Sequence, residues 1–510
     1  MNLLKKHRDR TKELLDSIAP AEIGSWLLNH GYFPEENILP PSFKVDEFDL
    51  EASVKQNDIL NLSRRSIESI TYPKTALTSR EFGLQHPTNY HDIVFHIISE
   101  WEEISKLLFN NKNKIYSYSF PIPLNARDIG NLSTLRTGRM IYEWIAMAEK
   151  DLVVEAHNFN LIVRSDVTNF YNSVYTHSIG WAIHGEEDSF NDSNTFHLFG
   201  NKIDKLVQYA NQGRTNGLPV GSALSDLIAE IILSRVDTEV TIKIDALGIE
   251  YIATRFKDDY RFLCNTTSDA ELILKILAIE LKKFNLSINE SKTKILDLPS
   301  GLYRQHDRLY HPISIKSQPS IDFKSFEINM LKVLDIHREF PGTSILEKFF
   351  SELFDADYNT KLEFSHDASR RRKEIMKTFS LLMLVKRESA KVLCHALALI
   401  EHIYIKYYRE HLLKPDLQKL ISTEIKKASV KKSVFELIWL IYFSRYISLG
   451  ITNLSELVSE ENRNNVFVKS IIKSKQEFFK DSGIKLFRKP KECKGIPLAK
   501  TLAAFERNRE

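Results

Sequence analysis

The sequence predicts an α+β protein that is helix-rich overall. Strand-like stretches are confined to the middle, roughly residues 112–300, while apolar residues at helical spacing fill both flanks. Glycine and proline are scarce, 17 and 16 of 510 residues, which leaves little room for long coil linkers. A chain of this length exceeds one core. The texture divides it into a helical region over 1–110, a mixed region over 111–310 and a helical region over 311–510.

In the first region, Met1–Ile18 sets Leu3, Leu4, Leu14, Leu15 and Ile18 among charges, the pattern of an amphipathic helix. His91–Phe109 repeats it with Val94, Ile97, Ile98, Trp101, Ile104 and Leu108. From Lys112 the pattern changes. Ile115–Pro123 reads as a strand rich in aromatics, followed by a loop with Arg127, Arg136 and Arg139 and a helix over Met140–Asp151. Phe159–Ser165 is a short apolar strand that ends on Asp166, and a helix through Tyr171 and Tyr175 is expected after it. Asn216–Asp237 begins as a Gly/Pro loop and turns helical. Tyr251–Cys264, YIATRFKDDYRFLC, reads as a β-hairpin with Asp258 and Asp259 at its tip. A helix over Ser268–Phe284 follows. Beyond about residue 320 only helices are expected, among them Phe379–Tyr408 and a buried one over Val434–Tyr446. Paired helices of this length fit an α-solenoid or a bundle equally.

Charge and cysteine content exclude several classes. The net charge is only +3, yet residues 461–510 hold thirteen lysines and arginines against six acids, suited to phosphate backbones or simply to solvent. Cys264, Cys394 and Cys493 lie far apart, so neither a disulfide framework nor a zinc site is expected. The first residues are charged from Lys5 onward with no apolar signal core, and the run Leu437–Phe443 is far too short to span a bilayer. A cytoplasmic protein without membrane contact is the expectation.

An Asp-Asp pair in a turn is ordinarily a solvated turn. Here four blocks accompany it in order: RSDVTNFYNSVYTHSI (164–179), GLPVGSALSDLIAEIILSRVD (217–237), RFKDDY (255–260) and NLSINESKTKI (285–295). Together they resemble palm motifs A to D of reverse transcriptases. The resemblance implies a right-hand polymerase fingers–palm unit, an antiparallel palm sheet flanked by helices. It also implies nucleotidyl transfer with two Mg²⁺ ions, for which Mn²⁺ could substitute. Hard carboxylates must then converge from two strands. Asp166 and Asp258 would be the principal ligands, with the Val167 carbonyl a further one and Asp259 in support.

By the same resemblance Tyr171 falls at the steric gate that leaves no room for a 2′-hydroxyl, so dNTPs are the implied substrates. Gly217 to Gly221 would let backbone approach a base pair, with Gly221 at the nucleotide. Ser222 and Ser225 could contact substrate, although helix capping suits Ser222 better. Lys292 stands at the lysine of the fourth block, where a cation can protonate departing pyrophosphate; a surface lysine is the equal alternative. Arg136 and Arg139 are candidates to grip the triphosphate, or members of a surface loop. His177 and His184 lie seven apart with no third ligand in view and read as structural. Trp181 and Trp144 read as core.

Two departures narrow the resemblance. Val220 stands where many templated enzymes have Gln, and Phe256 replaces the usual Tyr before the acids. The continuation LPVGxxxSxxxAE with YTHSI is similar to the abortive-infection group of bacterial reverse transcriptases, phage-defence proteins with a HEAT-like helical domain after the palm. This implies untemplated DNA synthesis, often primed on the protein so that the DNA product is covalently attached, in a homo-oligomer such as a trimer or hexamer. No residue matches a priming tyrosine; Tyr32, Tyr72 and several C-terminal tyrosines stay open. A templated enzyme of the retron or intron type, with an RNA partner, is the alternative. A nucleic-acid-binding scaffold on a degenerate palm is the alternative of another class, and a viral-type RNA polymerase fits Tyr171 poorly.

Overall fold

The structure is a computed structural model that describes residues 3–49, 62–75, 78–124, 129–134, 152–407, 413–502 and 505. The loop with Arg127, Arg136 and Arg139, the helix expected over Met140–Asp151 and Trp144 lie outside these residues. The chain forms two compact units. The first comprises Met1–Pro34, Glu47–Glu68 and Gly83–Tyr303, and the second comprises Glu35–Asp46, Ser69–Phe82 and Arg304–Glu510.

A ribbon of β1 (Glu68–Pro73) and β2 (Ser79–Leu84), which the periodicity of residues 1–110 does not reveal, precedes the central sheet. That sheet has β3 (Ile115–Ser117), β4 (Leu161–Asp166), β5 (Ile252–Phe256), β6 (Asp259–Cys264) and β7 (Lys294–Asp297). Their order is β3-β5-β6-β4-β7; β3 runs parallel to β5, and the remaining neighbours are antiparallel. The sheet is therefore mixed. The strand expected over Ile115–Pro123 shortens to three residues, because the prolines withhold donors from a ladder.

Period-2 alternation assigns the two faces of the sheet. One face gathers Ile162, Leu263, Ile252 and Leu296 with Leu4 of the N-terminal helix, Tyr116 and Phe159 into a buried cluster. On the other, Arg255 and Tyr260 reach the long helix Ala223–Ala246. Ser222 caps this helix, its Oγ accepting from the Ser225 amide at 3.2 Å. The helix expected through Tyr171 and Tyr175 is shorter, Phe170–Ser173, and Tyr175 instead bridges to Asn216. His91–Phe109 divides at Glu100 into helices Pro87–Ser99 and Trp101–Leu108.

The second unit takes in most of the β1–β2 ribbon; from Arg304 onward its described residues form helices apart from β8 (Ile321–Asp322) and β9 (Leu362–Glu363), two-residue strands that pair in parallel. Helices Ala368–Glu388 and Leu393–Lys406 fill the stretch expected from Phe379 to Tyr408. Val434–Tyr446 is buried nearly all round, and Trp439 donates its indole N–H to the Ile38 carbonyl at 3.3 Å. In this apolar setting Lys386 lies 2% exposed between Glu424 at 2.8 Å and Glu436 at 2.5 Å. Removing the lysine strands the buried Glu436, while Glu424 keeps Lys427 at 2.7 Å, so Lys386→Met should destabilise this unit by about 3 kcal/mol. Urea unfolding should show the loss, and a neutral result would mean the glutamates reach water.

Candidate active site

The hairpin of β5 and β6 turns through two residues, Lys257 and Asp258, since Phe256 pairs with Asp259. Lys257 takes φ +50°, a left-handed conformation in which a side chain is strained unless its surroundings hold it. They do. The Lys257 amide donates to Ser119 Oγ at 2.8 Å, and its carbonyl accepts from Arg255 Nη1 at 3.0 Å. Arg255 is fully buried and directs its fork at Glu230 (2.8 and 3.0 Å) and Asp237 (2.8 Å). Tyr260, opposite Arg255 in the ladder, donates to Asp237 at 2.9 Å, and Ser119 donates to Glu230 at 3.0 Å. The turn that carries the acids is thus fastened from behind to the helix Ala223–Ala246. Burial, which outweighs the attraction of Arg255, pushes the Asp237 carboxyl up to about 6.

In the ladder of β4 and β6, Asp166 stands directly opposite Asp259. Asp258 is tied to the same strand end, its carbonyl accepting from the Val167 amide at 3.1 Å. Three carboxylates thus gather at one end of the sheet, and like charges opposed across a ladder are unfavourable. Asp166 is 7% exposed. Burial first, then the charge of Asp166, raises the Asp258 carboxyl. Asp259 is pushed up to about 6, by the surrounding protein first and then by Asp258 and Asp166, even though its own surface is largely open to solvent.

Lys292 answers this charge. It lies in the turn before β7, with Nζ 2.7 Å from Asp166 Oδ2. Burial opposes the ammonium, but the bond to Asp166 prevails and its pKa is raised. The turn is held by the Asn289 amide, which donates to the Asp166 carbonyl at 2.6 Å, and by the hydroxyls of Ser165 and Thr293, 2.9 Å apart.

Tyr171 donates its hydroxyl to Asp226, which also receives Lys257 Nζ at 3.4 Å. Asp226 belongs to the second block and was not singled out from the sequence; only the fold, which sets it against Tyr171, gives it a meaning. The loop of that block is set by Gly217 and Gly221 at φ +88° and +133°, where a side chain would be strained. Its chain is pinned by the Leu218 amide to the Tyr171 carbonyl at 2.8 Å and by the Gly83 amide to the Val220 carbonyl at 2.9 Å. His177 and His184 have separate partners. His177 Nδ1 lies 2.6 Å from Asp204, and His184 Nε2 accepts from the Gly200 amide at 3.0 Å.

The structure thus brings Asp166, Val167, Tyr171, Asp258, Asp259 and Lys292 to one end of the sheet. Among the described residues no group of three or more His, Cys, Asp or Glu side chains is arranged as a metal cage. The donor chemistry fits a hard divalent cation all the same: the acids supply only oxygen, they repel one another, and an ammonium has settled on Asp166.

The fold is thus a mixed sheet flanked by helices, with acids at adjoining strand ends. Residues 113–331 match the family model described as reverse transcriptase (RNA-dependent DNA polymerase), which supports a polymerase-type nucleotidyltransferase. No curated protein matches the chain by sequence. Among solved structures it is similar to apo telomerase from Candida tropicalis truncated from its C-terminal domain, with 14% identity, a TM-score of 0.30, and 47% of this chain and 51% of that one covered. The chain therefore spans about half the length of that protein. Telomerase from Candida albicans in complex with a fragment of telomeric RNA follows, at 10% identity and a TM-score of 0.32 over 81% of this chain and 68% of that one. Full apo telomerase from Candida tropicalis gives 11% and 0.31 over 81% and 72%.

The raised carboxyl of Asp259 has a definite sign. A folded-state pKa above the unfolded value near 4 means that the folded protein binds the extra proton, so stability falls as pH rises from about 4 through about 6. Asp259→Asn should then raise the melting temperature of the metal-free protein at pH 7.5 and change it little at pH 4. Mg²⁺ should raise the wild-type value at pH 7.5 more than at pH 5.5. Arg255→Met should do the reverse of the first change, costing about 3–5 kcal/mol because Glu230 and Asp237 lose their cation. Melting curves across pH, with and without Mg²⁺, read all three.

Proposed function

We propose that this protein is a Mg²⁺-dependent DNA polymerase that adds deoxynucleotides without copying a template, from a hydroxyl on the protein, in anti-phage abortive-infection defence. The observation that carries the catalytic part is the convergence of Asp166, Asp258 and Asp259 at adjoining strand ends with Lys292 on Asp166. Asp166, Asp258 and the Val167 carbonyl are the ligand set for two ions, with Asp259 in support. When bound, these ions supply the positive charge that neutralises the triphosphate and activates the attacking 3′ oxygen.

The chain's own groups have definite tasks. Tyr171, tied to Asp226, presents its ring beneath the sugar and excludes a 2′-hydroxyl. Gly221 and its loop bring backbone to the base pair. Lys292 Nζ holds the proton that the departing pyrophosphate takes. Arg136 and Arg139 are proposed to grip the triphosphate from the fingers.

Support for untemplated synthesis comes from Val220 in place of Gln and from the helical run that follows residue 320. Two priming candidates lose ground. The Tyr32 hydroxyl is buried on the Gln85 carbonyl at 2.6 Å, and Tyr72 is 7% exposed. A primer must be reachable, so the priming hydroxyl belongs elsewhere. The proposed assembly is a cytoplasmic homo-oligomer, a trimer or hexamer. The family description itself favours the second reading, synthesis directed by an RNA template.

Purified protein incubated with each labelled dNTP and Mg²⁺, without template, should yield a protease-sensitive DNA ladder. Asp258→Ala should abolish it, a fall of at least a thousandfold, and protection against phage should be lost with it. Tyr171→Ala should admit ribonucleotides at least tenfold better relative to dNTPs. Product that copies an added RNA would select the templated reading. Nucleic-acid binding with no turnover of any dNTP would leave the scaffold.

A further inference from the structure

The second unit holds a cavity of about 370 Å³ that the proposed activity does not use. Six lysines and arginines line it against two glutamates, Glu388 and Glu436. Three of the cations have carboxylate partners. Lys386 sits between Glu424 and Glu436, Arg338 holds Glu388 at 2.9 Å, and Arg387 lies 3.9 Å from Glu424. Lys74, Lys391 and Lys431 form no salt bridge among the described residues. His337 also lines the cavity, its Nδ1 buried without a hydrogen-bond partner.

The cations crowd one another. Burial first depresses the Lys391 ammonium; Glu347 opposes this, and Arg80 and Lys74 add to it. Burial first, then Lys391, depresses the His337 imidazole. A recess with surplus positive charge and low-dielectric walls focuses its field on whatever enters, and an anion relieves the repulsion.

We propose that this cavity is a second anion site, outside the palm, that binds the phosphates of a nucleotide. Its volume lies in the range of roughly 300–1,000 Å³ typical of small-ligand pockets. Pro73, Pro341 and Ala390 supply apolar wall for a base beside the cations. A single-stranded polymer would call for a groove with aromatic platforms, and no Phe, Tyr or Trp lines this recess. The site carries no acidic cluster to hold Mg²⁺, so it takes the free anion rather than its metal complex.

The test uses the full-length protein in EDTA, where a Mg²⁺-dependent palm is silent. Calorimetric titration with pyrophosphate and with dATP should each give one saturable site per chain, and the two should compete. Lys391→Gln with Lys431→Gln should weaken both at least tenfold, while Asp258→Ala should leave both unchanged. Lys431→Gln alone, at an exposed position, should weaken binding about threefold and guards against a misfolded double variant, which its melting curve would reveal. Absence of saturable binding in EDTA, or affinity unmoved by Lys431→Gln and the folded double variant, overturns the proposal. So does a deoxythymidine decamer that binds without being displaced by pyrophosphate, which makes the recess part of a nucleic-acid surface. Binding of pyrophosphate but not dATP likewise removes the nucleotide and leaves a plain anion hole.

Discussion

A buried guanidinium governs the acidic end of the central sheet. Three carboxylates converge where β4 meets the hairpin of β5 and β6, and nothing about their mutual charge favours that placement. What holds them is behind the sheet, where Arg255 binds Glu230, Asp237 and the carbonyl of Lys257 at once. Each of those acids, alone in such a setting, would favour its neutral form. Together with Tyr260 and Ser119 they make a network with no idle member, and such a network fixes geometry more firmly than apolar packing does. The fork also sustains the left-handed turn at Lys257 without a glycine, which sets where Asp258 points.

The same logic of paired charge recurs in the second unit. Lys386 is enclosed with two glutamates, so burial there is offset by pairing. Beyond the end of the helix that carries Lys386, in the short turn Ala390–Val392, the balance shifts. Lys391 and His337 face the cavity with depressed pKa values, burial outweighing the pull of Glu347 on the first and of Glu388 on the second. Paired cations and cations without a salt bridge among the described residues line one recess, which is why it reads as a place for an outside anion rather than a flaw in packing.

Much of this was legible in the sequence because its elements are local. The hairpin Tyr251–Cys264, the strand ending at Asp166 and the helix after Ser222 need only alternation, a cap and turn chemistry to be seen, and they emerge close to those bounds. The ribbon of β1 and β2 escaped because β2 does not alternate at all, and the alternation in β1 is confined to Ile70, Thr71 and Tyr72, too short a run to stand out. Helix was overextended through Tyr175, since apolar spacing cannot register the bridge to Asn216, 41 positions away. Asp226 and the Arg255 network were invisible for the same reason: their meaning lies in partners brought together by tertiary contact. Lys292 was half legible; its spacing marked it, and only the fold put its ammonium on Asp166.

Asp226 joins two features that separate helices and strands would otherwise keep apart. It accepts the Tyr171 hydroxyl on one oxygen and faces the Lys257 ammonium with the other, so the ring and the turn share a single tether. Under the proposed function, sugar choice and metal geometry are then not independent traits. A lineage that changes Tyr171 to accept a wider range of nucleotides also alters the carboxylate that faces Lys257 beside Asp258, while Ser119 and Arg255 still hold the backbone of the turn.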